Sequence, residues 1–204
     1  MRVDDRNSPI AVRRMSLPKS LDPRWQPTSP DPLIKTCAQI VDRLSGLSKL
    51  FAEAMLTTGA RPQEILNLTQ GDIDDRGFIL IRSLKGSRQR VAYCPSLKAL
   101  AAGAQTGPST PLFRSYTYHQ FYRAFKSVHP SPGESSLHNL KVGRLFRCAF
   151  ARGNHALGAG DISCTALSLG HRAPSSTNFY LTQGGELSGQ DSSRNTRIHH
   201  RQGG

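Results

Sequence analysis

Residues 138–180 restrict this chain more than any other stretch, because three helical patterns follow one another there with their stop signals in place. Val142, Leu145, Phe146, Ala149 and Phe150 fall on one side of a helix at about 100° per residue. Gly153-Asn154 reads as its end, and Lys141, Arg144 and Arg147 project from its other side. Asp161 is a suitable N-cap for a second helix through Leu169, with Gly170 as its stop. Pro174-Ser175-Ser176 then reads as a turn opening a short third helix that carries Tyr180. His138 and Lys141 at the start, His171 just past the Leu-Gly stop, and Tyr180 nine residues later bring phosphate-handling groups together with a possible nucleophile.

The upstream chain alternates helix and turn signals. Six prolines between Pro9 and Pro32 leave residues 1–31 without periodicity, and a disordered basic arm is expected. Pro32 suits the first turn of a helix running to about Leu44. Leu47, Leu50, Phe51, Ala54 and Met55 form the stripe of the next helix, stopped at Gly59. Arg61-Pro62-Gln63-Glu64 opens a short helix carrying Ile65, Leu66 and Leu68. The acidic run at 71–75 reads as a solvated turn. Residues 78–81 and 89–93 read as two strands of a hairpin with Lys85-Gly86-Ser87-Arg88 at its tip. After a Gly/Ser/Thr/Pro-rich connection at 103–111, Thr117 begins a helix. Tyr118, Phe121, Tyr122, Phe125 and Val128 are expected on its core side, with His119, Arg123 and Lys126 mostly elsewhere. The expectation is one domain over residues 32–183, mainly α with a small antiparallel β-sheet (α+β), and a disordered polar tail over 184–204.

Formal net charge is +13, which favours a polyanionic partner, usually nucleic acid. Arg88, Arg123, Lys126, Arg144, Arg147 and Arg172 are the candidate DNA contacts. No apolar run approaches the roughly 18 residues of a membrane span, and no signal-peptide core is present. Four scattered cysteines without a C-x-x-C pair argue against zinc ribbons and disulfide frameworks and suit a reducing cytoplasm. Cys148 and Cys164 are read as small buried thiols. Arg61 sits at the positive end of a helix, where a cation needs an anion nearby. A bound phosphate would supply one; so would Glu64, three residues on. The hairpin tip either delivers an ammonium into a cleft or only keeps the turn soluble.

Taken in order, these segments resemble the tyrosine recombinase, or phage-integrase, catalytic domain over about residues 33–183. T-G-A-R-P-Q-E-I-L-N-L followed by D-I-D is similar to the family's first arginine block. The hairpin with Lys85 resembles its β-turn lysine segment, H-N-L-K its H-x-L-R motif, and L-G-H with Tyr180 its final block. The resemblance implies a catalytic set of Tyr180, Arg61, Lys85, His138, Lys141 and His171, with Lys141 in the second arginine's place. It implies a site-specific recombinase that cuts DNA through a 3′-phosphotyrosyl link, with no metal or cofactor. Partners would be double-stranded DNA carrying recombination sites and a homo-tetramer assembled on it, in the cytoplasm and nucleoid-associated when bound. The short arm is like that of the small members lacking an N-terminal DNA-clamping domain. An alternative, favoured by Lys141, is a catalytically weakened relative that only binds DNA. A basic RNA-binding protein fits the charge but not the motif order.

Overall fold

The computed structural model describes residues 31–84, 86–103, 107–129, 142–158 and 160–182. Through them run α1 (Pro32–Arg43), α2 (Gly46–Thr58), α3 (Pro62–Leu66), a 3-10 turn (Gln70–Asp72), β1 (Phe78–Ile81) and β2 (Arg90–Tyr93). There follow α4 (Ser96–Gly103), α5 (Tyr118–Val128), α6 (Val142–Leu157), α7 (Ile162–Leu169) and α8 (Ser175–Thr182). The two strands pair antiparallel, Phe78 opposite Tyr93 and Ile81 opposite Arg90. This is the expected mainly helical fold with a two-stranded antiparallel sheet. Residues 1–30 of the expected arm, the expected tail, and Lys85, His138 and Lys141 lie outside the described residues, while Asp31, expected in the arm, caps α1.

The punctuation acts as its chemistry requires. Asp31 Oδ1 accepts from the Leu33 amide at 2.8 Å, and Asp161 Oδ1 from the Ser163 amide at 2.7 Å. Each carboxylate thereby satisfies an amide that its helix cannot. Gly59 and Gly170 take left-handed conformations, φ +61° and +70°, and end α2 and α7. The core forms around α6, which packs on α1, α2, α7 and α8. Phe51 of α2 meets Phe121 of α5 at 4.8 Å between ring centroids, and Phe121 meets Phe146 of α6 at 6.4 Å. All three rings are fully buried, each stabilising the fold by about 1.5–3 kcal/mol.

The structure departs from the sequence reading in five places. α6 does not stop at Gly153-Asn154 but continues to Leu157, with both residues buried inside it. The roughly 1 kcal/mol that a mid-helix glycine costs is outweighed by the packing gained. α4 was not foreseen. Tyr118 and Tyr122 are 38% and 36% exposed, so the core stripe of α5 narrows to Phe121 and Phe125, with Val128 half-buried against the core. Asp72 is not solvated: it is 4% exposed, accepts from the Thr69 amide and pairs with Arg82 at 2.8 Å. Cys148 is buried, but Cys164 is only half-buried and donates its thiol to Asp161 Oδ2 at 3.0 Å.

Candidate active site

The turn between α2 and α3 builds one wall. A side chain at Gly59 would run into the Phe150 ring, so the chain passes tightly over α6. Gly143 does the same from the other side, since a Cβ there would lie 2.6 Å from Pro62 Cγ. Arg61 follows the turn. Its amide donates to Glu64 Oε2 and its Nη1 to Glu64 Oε1, both at 2.8 Å. The pair with Glu64 is therefore formed, yet the Arg61 side chain stays 29% exposed and lines a cavity of about 390 Å³.

Tyr180, Arg144, Arg147, Tyr118 and Leu84 also line that cavity. Tyr180 is half-buried. Its ring packs against both the His171 imidazole, 5.2 Å away at 31°, and the Arg147 guanidinium, centred 4.9 Å from the ring.

Arg147 corrects the sequence reading most sharply. It was placed on the outer, DNA-facing side of α6, but it is 2% exposed. Between Val142 and Ala151 only Arg144 is exposed, because α7, α8 and the Gly59 turn cover what looked like a polar face. Arg147 Nη1 donates to the Gly59 carbonyl at 2.6 Å and Nη2 contacts His171 Nε2 at 2.9 Å, while Nε has no partner. No carboxylate pairs with it among the described residues. Burial lowers its pKa to about 10, and although Tyr180 counteracts this, the neighbouring Arg61 and Arg90 lower it further. A buried cation without an anion is a costly arrangement that a bound anion would relieve.

His171 is fixed by its neighbours. A guanidinium can only donate, so Nε2 accepts from Arg147 and Nδ1–H donates to Thr177 Oγ1 at 2.9 Å. Burial, then Arg147, Arg61 and Arg90, hold its pKa down at about 4, so the ring is neutral at pH 7.

Beneath Arg61 lies a carboxylate whose reach the sequence reading missed. Glu64 is buried and also accepts from Arg90 Nη2 at 2.9 Å and Ser87 Oγ at 3.1 Å. Burial alone would raise its pKa; Arg90 and Arg61 outweigh burial and hold it at about 2. The signal for Arg90 was its alternation in β2, which puts it on the buried side with Ala92. For Arg147 the signal was its neighbours: L-F-R-C-A-F-A leaves that arginine no polar flank. The structure thus brings Arg61, Arg147, His171 and Tyr180 together. Arg144 stands exposed at the cavity with its guanidinium 5.0 Å from the Phe179 ring. Arg88, Arg123, Lys126 and Arg172 are exposed; Lys126 sits over Tyr122, and Arg172 Nε donates to the Gly86 carbonyl.

The fold is a tyrosine-recombinase-like one. Among solved structures it is similar to XerA recombinase, with a TM-score of 0.56 at 21% identity over 72% of this chain. It is also similar to the catalytic domain of bacteriophage HP1 integrase, with a TM-score of 0.53 at 21% identity over 72% of this chain and 83% of that one. The match spans 56% of the XerA chain. No family model and no curated protein matches the sequence. Among the described residues no helix is long and apolar enough to cross a membrane.

Proposed function

We propose that this chain is a site-specific DNA recombinase or integrase that cleaves and rejoins DNA through Tyr180. The observation that carries the reading is Arg147: a buried guanidinium with no carboxylate among the described residues, stacked on the tyrosine and facing the same cavity as Arg61. Phosphoryl transfer asks chiefly for positioning and for positive charge where the transition state is negative. Tyr180 Oη gives up its proton to water as it forms the bond to phosphorus, the bond to the 5′-oxygen breaks with its electron pair, and that oxygen takes up a proton. A 3′-phosphotyrosyl link keeps the bond energy for rejoining. Arg61 and Arg147 hold the non-bridging oxygens. His171, whose Nε2 is taken by Arg147, orients that arginine and packs on Tyr180. Lys85 of the hairpin tip, on the resemblance, protonates the leaving oxygen.

On this reading Arg144-Leu145-Phe146-Arg147 stands where the resemblance has H-x-L-R, with Arg144 in the histidine's place. Arg147 rather than Lys141 is then the second arginine. His138 and Lys141 drop out of the chemistry, and Lys141 no longer argues for a protein that only binds DNA. Strand exchange calls for two duplexes carrying recombination sites and, on the resemblance, a tetramer. The test is a nicked suicide duplex, selected for binding from a randomised pool, incubated with the protein. A covalent adduct that Tyr180→Phe abolishes is expected; binding with no adduct on any selected duplex contradicts the assignment. Lys141→Arg should leave the adduct rate unchanged.

A further inference from the structure

The arginines account for only one part of the cavity. Arg61, Arg144 and Arg147 bring its charge, while Pro62, Leu84 and Tyr118 line the same space with apolar surface. Its volume of about 390 Å³ falls within the roughly 300–1,000 Å³ that takes whole small ligands. A phosphodiester is compact and charged, and uses none of that apolar wall. The part of a nucleotide that suits such a wall is the face of the base.

Tyr118 offers a ring for it. The residue opens α5, is 38% exposed, and its hydroxyl accepts from the Gly143 amide near the start of α6. The rings of Phe121 and Tyr122 flank it, each 6.4 Å away between centroids. Tyr118 is thus anchored at its hydroxyl and still open to the cavity. The surface continues outward along α5, where Tyr122 is 36% exposed and Lys126 sits 4.9 Å over its ring. Arg123 is exposed beside them, and α5 carries no acidic residue. Aromatic rings among cations suit a strand whose bases are unstacked. In a paired duplex the bases present only their edges, which are read by hydrogen-bonding groups. Pro62 and Leu84 have no such side-chain group, and the Tyr118 hydroxyl is engaged by Gly143.

We infer that the cavity is a nucleobase subsite: it takes one unpaired base beside the scissile phosphate, with the base face on Tyr118 and the phosphate on the arginines. The inference deepens the proposed function and rests on its DNA ligand. The cost of unpairing and unstacking that base is lowest where the DNA is already mispaired or single-stranded.

The test is equilibrium binding of the full chain, at fixed salt, to oligothymidine and to an abasic oligomer with the same number of phosphates. The wild type is expected to bind oligothymidine roughly 5–100-fold more tightly, as one base stacked on an aromatic ring provides. Tyr118→Leu should remove most of that difference. Tyr118→Trp covers the case in which Tyr118→Leu does not fold: the introduced indole should be quenched by oligothymidine beyond the wild-type signal, and not by the abasic oligomer. A preference that Tyr118→Leu leaves intact, or equal quenching by both oligomers, overturns the subsite. On a nicked duplex, an unpaired thymidine beside the nick should speed adduct formation at Tyr180 over an abasic site in its place, and the same or the reverse order overturns its placement. Equal affinities in a wild type that still forms the adduct sink the subsite alone. A wild type that binds neither oligomer nor duplex removes DNA as the ligand, and the proposed function with it.

Discussion

Two arginines face Tyr180, and their surroundings are opposites. Arg61 sits at the mouth of the cavity, 29% exposed, with a carboxylate on its amide and on Nη1. Arg147 sits behind the tyrosine, 2% exposed, bonded only to carbonyls and to a neutral imidazole. Arg61 is oriented by its anion and left partly free to meet another. Among the described residues Arg147 has no anion, and its burial keeps it from water. One therefore resembles a recruiting group and the other a preorganised charge, whose benefit appears when a phosphate arrives.

The largest expected effect comes from removing the anion. Glu64→Gln leaves Arg90 buried without its partner and should destabilise the fold by about 3–5 kcal/mol, measured by urea unfolding. A change below about 1 kcal/mol would mean that Arg90 does not depend on Glu64. Next comes Arg147→Lys, which keeps a charge but loses the fork. It should slow adduct formation roughly 10²–10³-fold with little change in DNA affinity. Arg61→Lys should instead raise the Kd as well as slow the reaction, because its open face meets DNA before chemistry. Equal behaviour of the two variants would erase the contrast.

A smaller effect is readable from pH. His171 has a folded-state pKa lowered to about 4 from an ordinary 6.5, so between those values the unfolded chain binds the extra proton. Its contribution is complete above pH 6.5 and is lost as pH falls toward 4, by about 1–3 kcal/mol. Stability against pH for wild type and His171→Gln should diverge in that window, and parallel curves would show that the ring is not held neutral. The smallest effect belongs to the exposed cations. Arg123→Ala should leave stability within about 0.5 kcal/mol and reduce the salt slope of DNA binding by about one.

What the sequence made legible follows the same division. The starts and stops at Pro32, Gly59, Asp161 and Gly170 are local chemistry, so these helix ends were readable from a few residues. The paired strands were readable from alternation. Arg61, His171 and Tyr180 were found because each stands beside such a landmark. Arg147 was misplaced because a hydrophobic stripe reports the first face a helix buries. It does not report that α7 and α8 cover the second face of α6. Asp72 was misread, and Arg90 passed over, for a related reason: their partners, Arg82 and Glu64, lie 10 and 26 residues away in sequence. Long-range ion pairs leave no periodic trace.

The most direct test of Arg147 as the uncompensated charge replaces the charge on the substrate. In a methylphosphonate linkage a neutral methyl group takes the place of one non-bridging oxygen at the scissile position. Arg147→Ala should be inert on the ordinary nicked duplex and should recover adduct formation at Tyr180 on the methylphosphonate, where no negative charge needs an arginine. If Arg147→Ala folds, binds DNA and stays equally inert on both, Arg147 is not the group that meets the phosphate.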